Sequence, residues 1–143
     1  MTDDLRLMWL CVIATFSIFV VYSDIKYRKI ANTTCLLLSF FCGVYAFIYS
    51  EIQILIPIVI LLSGIVLSVL RILGGGDTKL LAAYSLAIDP DLFSSVLIII
   101  GISGGLLSLI YLLIYKNVKN NQASLPYAIP IAIGGSIGIL ASM

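Results

Sequence analysis

The chain has 143 residues, of which 62% are hydrophobic and 10% charged, with eight basic and seven acidic side chains and no histidine. Soluble domains carry about a quarter charged residues, so this composition, with a mean hydropathy of +1.19, excludes an ordinary water-soluble fold. The near-cancelling charge offers no basic surface for nucleic acid.

No linker, low-complexity tract or repeat divides the sequence, and residues 1–143 read as one transmembrane domain. The first apolar run, Leu7 to Tyr22, is not a signal peptide: Asp3 and Asp4 stand where a basic region belongs, and no small-residue cleavage site follows. Apolar runs of about 20 residues cross a bilayer. On that length the sequence predicts spans at 6–23, 33–50, 52–73, 78–88, 92–115 and 125–142. The predicted fold is an all-α integral membrane protein, a compact bundle of six transmembrane helices. Asn32 with Thr33 is placed to cap the second span and Asp91 the fifth. Pro57 and Pro130 fall inside the third and sixth, where kinks are tolerable if neighbouring helices satisfy the freed carbonyls. Gly64 with Ser68, Gly101 with Gly105, and Gly134 with Gly138 have the small-xxx-small spacing of close helix packing. Cys11, Cys35 and Cys42 are odd in number and lack CxxC spacing, so they read as packing residues rather than a disulfide or zinc site.

Charge then orients the spans. With the amino terminus outside, the inner side holds Lys26, Arg28, Lys29, Arg71, Lys79, Lys116 and Lys119, and the outer side only Arg6. That asymmetry is what the positive-inside rule requires, and it puts both termini outside. The acids Asp3, Asp4, Glu51, Asp89 and Asp91 fall outside as well, leaving Asp24 and Asp77 as the two inner carboxylates. Singly, each is equally well read as offsetting nearby Lys or Arg.

Asp77 follows Gly74-Gly75-Gly76. Each glycine costs roughly 1 kcal/mol relative to alanine in a helix interior, so the run predicts a non-helical turn or a close backbone approach. From Asp77 to Ile88 a helix reaches only about 18 Å, against a hydrocarbon core of about 30 Å. Asp77 is therefore expected below the inner surface, where non-helical backbone survives only if buried in protein or lining a wet cavity. Asp77, Leu81, Tyr84 and Ser85 share one helical face, which should point inward.

The lack of histidine excludes Ser-His and Cys-His nucleophiles, His-ligated zinc and His-ligated haem. A Ser-Lys pair at Ser23 and Lys26 stands at a charged membrane edge that offers the lysine no desolvation, and is set aside. Two aspartates need no such partner, no metal and no cofactor. Brought within hydrogen-bonding reach they share one proton: the ionised carboxylate takes a proton from water while the protonated one hydrogen-bonds the scissile carbonyl. The helix start at Asp77 favours its anion, assigning Asp77 as base and Asp24 as acid, with roles that alternate through a cycle.

Asp24 with the basic residues after it and Ile30-x-Asn32, then Gly74-x-Gly76-Asp77-x-Lys79-Leu80, then Leu125-Pro126-Tyr127, resembles the type IV prepilin peptidases, aspartyl proteases of the GxGD type. The three motifs in order cover most of the chain. The resemblance implies that Asp24 and Asp77 are the catalytic pair, that Gly74, Gly75, Gly76 and Lys79 shape the site, and that the substrate is a prepilin cleaved at the cytoplasmic face of the inner membrane. Two departures matter. Ala31 stands where the family often has proline, and only eight residues separate Asp24 from Thr33, so the cysteine-rich loop of the bifunctional enzymes is missing. The compact chain is thus similar to peptidase-only members serving Flp-type pili, without pilin methylation. Archaeal preflagellin peptidases share the motif. From other classes, a transporter whose broken helix holds a midplane site and an inactive scaffold remain alternatives.

Overall fold

The computed structural model describes residues 2–27, 30–49, 54–70, 74–115 and 125–143. Among the described residues there are six helices and no strand: α1 Thr2–Tyr27, α2 Asn32–Tyr49, α3 Leu55–Val69, α4 Gly75–Ser85, α5 Pro90–Tyr115 and α6 Ala128–Ala141. Every predicted span has its helix. Arg28, Lys29, Glu51, Arg71, Lys116 and Lys119, on which the charge asymmetry draws, lie outside the described residues, as do the predicted span limits at 50, 52 and 73.

Three helices are long and apolar enough to cross a membrane, at Asp4–Tyr27, Asn32–Tyr49 and Pro90–Ile114. α3 and α6 are shorter apolar helices, and α4 has eleven residues, about 17 Å of rise. The surface suits lipid rather than water. Phe47 and Val69 are 76% and 77% exposed, and Leu36, Leu55, Ile102 and Leu113 are exposed with them, a continuous apolar coat that a soluble monomer does not present.

The shortest helix is the most deeply placed. Thr78, Leu80, Ala82, Ala83, Tyr84 and Ser85 of α4 are all buried, and α4 packs against α2, α3 and α6. α1 packs on α2 and α6, and α5 on α6. The core joins Ile13 and Val20 of α1, Leu38, Cys42 and Tyr45 of α2, Leu80 and Tyr84 of α4, and Ile139 of α6. Buried hydroxyls find acceptors in their own helix, as Thr78 Oγ1 does with the Gly75 carbonyl at 3.0 Å and Ser85 Oγ with that of Ala82 at 2.8 Å.

Helix starts differ from the sequence expectations in three ways, each with a local reason. Pro57 and Pro130 fall in the first turn of their helices rather than inside them. α3 opens at Leu55 and α6 at Ala128, so each proline is the third helical residue, where an N–H would have no acceptor within the helix. α2 begins after Ala31, whose carbonyl accepts the N–H groups of Thr34 and Cys35 at 3.1 and 3.2 Å. Asn32 is therefore already helical and its side chain is used elsewhere. α5 begins at Pro90, a favoured first position, so Asp91 lies in the first turn rather than at the cap.

α3 and α4 form an antiparallel hairpin. A Cβ on Gly64 would meet Thr78 Cβ at 2.5 Å, and one on Gly75 would reach Ser68 Oγ at 3.5 Å, so residues equidistant from the corner face one another. At the far end of the bundle Arg6 Nη1 donates to the Met143 carbonyl at 2.6 Å and its guanidinium lies over the Tyr49 ring. The Asp89 N–H donates to Ser142 Oγ there at 3.0 Å. Both termini thus share one end, and Asp24 and Asp77 lie toward the other.

Candidate active site

α4 opens on the glycine run, which is less of a turn than its composition suggests. Gly74 is extended (φ −71°, ψ 135°) and immediately precedes the helix, while Gly75 and Gly76 are its first two residues. Asp77 is therefore the third helical residue. Its N–H donates to the Gly74 carbonyl at 3.0 Å, and its carboxylate accepts the Gly74 N–H. This is the acidic half of a capping box, in which a carboxylate at the third position returns to the residue before the helix. The glycines make room for it. A Cβ on Gly74 would lie 2.7 Å from Asp77 Oδ2, and one on Gly76 would lie 3.1 Å from Ile30 Cβ.

Asp24 sits inside the last turn of α1, which runs on to Tyr27, and it is buried. A carboxylate at the carboxyl end of a helix is unfavourably placed in that helix's dipole. Compensation comes from α6, whose first residue, Ala128, donates its backbone N–H to Asp24 Oδ2 at 3.3 Å. The two carboxylates are near enough for their charges to act on one another. Each thus accepts a backbone N–H at the start of a helix other than α1.

The segments that resemble family motifs also meet. Ile30 packs on Gly76, and Lys79 Nζ donates to Asn32 Oδ1 at 2.9 Å. The Tyr127 ring covers Gly104 of α5, directly before Ala128 turns its N–H to Asp24. Lys79 and Asn32 open onto a groove of about 480 Å³ between α2 and α3, floored by Ala82 and Ala83 of α4 and by Leu86 just after it; neither aspartate lines it. Among the described residues no cluster of His, Cys, Asp or Glu could hold a metal ion. Cys35 and Cys42 are buried and Cys11 is exposed, all as free thiols.

Fold and site together define a small helical membrane protein with two carboxylates near one end of its bundle. A model of the type IV leader peptidase family matches residues 11–113, and the chain belongs to that family. No curated protein and no solved structure matches it. Membership brings a leader-peptidase-like activity with it.

The Ala128 donor was not foreseen from sequence, because a backbone N–H leaves no side-chain signature. Its one trace is the helix start that follows Pro126-Tyr127. Of the stripe expected to point inward on α4, Tyr84 and Ser85 are buried and Asp77 and Leu81 half-buried, but Thr78, Leu80, Ala82 and Ala83 on its other faces are buried too, so burial does not single out that stripe.

Proposed function

We propose that this protein is a membrane aspartyl endopeptidase that removes the leader peptide from Flp-like type IV prepilins at the cytoplasmic face of the inner membrane. The observation that supports this reading is that Asp24 and Asp77, drawn from two separate motifs, lie near enough for their charges to act on one another, with a backbone donor on each. Brought within hydrogen-bonding reach in the catalytic state, the two carboxyls cannot both ionise freely and hold one proton between them. Water lying against the pair loses a proton to the ionised member as it attacks the scissile carbonyl, whose oxygen is hydrogen-bonded by the protonated one. Because both anions have an N–H partner, neither aspartate is the fixed acid, and the proton belongs to the pair.

Asp24→Asn and Asp77→Asn should each abolish processing of a co-expressed prepilin while the protein stays in the membrane. Cleavage retained by either variant overturns the mechanism. A preflagellin offered in place of the prepilin separates the two substrate classes the motif serves. The short connection between Asp24 and Thr33 leads us to assign peptidase activity alone. Mass spectrometry of the mature pilin should find its amino-terminal methylation unaffected by loss of this protein, and dependence on it would show that assignment wrong.

The α3–α4 hairpin weighs against transport. Thr78 facing Gly64 and Gly75 facing Ser68 make α3 and α4 two antiparallel helices, the second of which starts at the glycine run. A transporter site of the broken-helix kind requires a helix that continues in the same direction beyond its break.

A further inference from the structure

Ser17 and Asp24 stand seven residues apart on α1, Asp77 and Tyr84 seven apart on α4, and Ala128 and Gly135 seven apart on α6. Seven residues make two turns, about 10.5 Å of rise, and return nearly to the same helix face. α1 arrives at the aspartates with its carboxyl end, and α4 and α6 leave from them with their amino ends, so the three pairs define two matched levels in the bundle. At one level Ala128 donates to Asp24. At the other, the Tyr84 hydroxyl bonds Ser17 Oγ, and Ser136 of α6 lies within hydrogen-bonding reach of the same hydroxyl.

The direction of this second link is set. Ser17 Oγ donates its one hydrogen to the Ile13 carbonyl at 2.7 Å, so toward Tyr84 it can only accept. Tyr84 is 0% and Ser17 5% exposed, and an unpaired hydroxyl at such a site is costly. Gly135 admits the tyrosine ring, since a Cβ there would strike the ring carbons. Among the described residues α1 is not one of the helices packed closely on α4, so the tyrosine side chain bridges the gap between them.

We infer that Ser17 and Tyr84 are positioning residues whose hydrogen bond fixes the axial register of α1 against α4, and with it the approach of Asp24 to Asp77 two turns away. This rests on the role proposed above for the two aspartates. Tyr84→Phe keeps the ring on Gly135 and removes the hydroxyl alone. Its kcat for leader cleavage should fall about 10- to 100-fold, the scale of a small misplacement of reacting groups, with KM unchanged. Ser17→Ala should match it, the double variant should be no worse than either single one, and Ser17→Thr, which keeps a hydroxyl, should restore the rate.

A second readout needs no activity. Spin labels attached through Lys26→Cys and Lys79→Cys, in a chain whose Cys11, Cys35 and Cys42 are replaced by alanine, should give one narrow distance distribution, broadened or shifted by Tyr84→Phe. An unchanged distribution, a wild-type kcat, or a loss confined to KM overturns the inference. If Asp24→Asn and Asp77→Asn still cleave, the proposed function fails instead, and the label distances still decide the register claim.

Discussion

A carboxylate oxygen fills the space that a side chain at Gly74 would need. The 2.7 Å separation between a Cβ built there and Asp77 Oδ2 is too short to keep, and the flexible carboxylate is the group that would yield. Gly74→Ala should therefore lower kcat about 10- to 100-fold through a displaced carboxylate while leaving the thermal unfolding of the detergent-solubilised protein nearly unchanged. Gly75→Ala, whose Cβ would meet Ser68 Oγ at an ordinary 3.5 Å, should cost distinctly less activity; equal losses would show that the run is needed for backbone freedom rather than for the carboxylate. Asp24 and Asp77 were legible in the sequence because acids are so scarce on one side of the predicted spans. The capping geometry was not, although the spacing from Gly74 to Asp77 contains it, because three glycines invite reading as a helix breaker and hide the helix that starts among them.

Helix contacts were legible where the spacing of small residues coincided with a facing side chain. Gly64 meets Thr78, Gly134 meets Ile100, and Gly138 meets Val96 and Ile88, whereas Gly101 and Gly105 have nothing within 4 Å of a built Cβ. The spacing is the same in all of these, so the pattern alone cannot tell a packed face from one turned to lipid. On α5 the glycine that packs is Gly104, against Tyr127. Gly64→Ala should be destabilising by about 1–3 kcal/mol, the usual cost of overpacking, because the Cβ of Thr78 is tied to its backbone and cannot swing away. Gly101→Ala should leave the unfolding temperature unchanged or slightly raised. Unfolding in detergent, compared between the two variants, checks both directions. Pro57 and Pro130 show the complementary limit: a proline near the start of an apolar run reads as an interior kink until the first helical residue is known to within two positions.

At the scale of the molecule, charge and length together support a six-span arrangement with both termini outside, which remains our proposal. The bundle itself puts Arg6, Asp89, Ser142 and Met143 at one end and Lys26, Lys79 and the two aspartates toward the other. α4 is the weak point of such an arrangement, since eleven residues reach only about 17 Å of a hydrocarbon core about 30 Å thick. Its packing against α2, α3 and α6 eases the shortfall, because a helix enclosed by protein need not match the bilayer thickness. Thiol labelling in a chain freed of Cys11, Cys35 and Cys42 tests this directly. A membrane-impermeant reagent added to intact cells with a permeabilised outer envelope should label Asp89→Cys, an exposed position at the terminal end. It should leave Lys26→Cys and Lys79→Cys untouched until the inner membrane is opened. If Lys79→Cys is labelled from the same side as Asp89→Cys, α4 does not carry the chain across, and the cleavage site cannot face the cytoplasm while the termini lie outside.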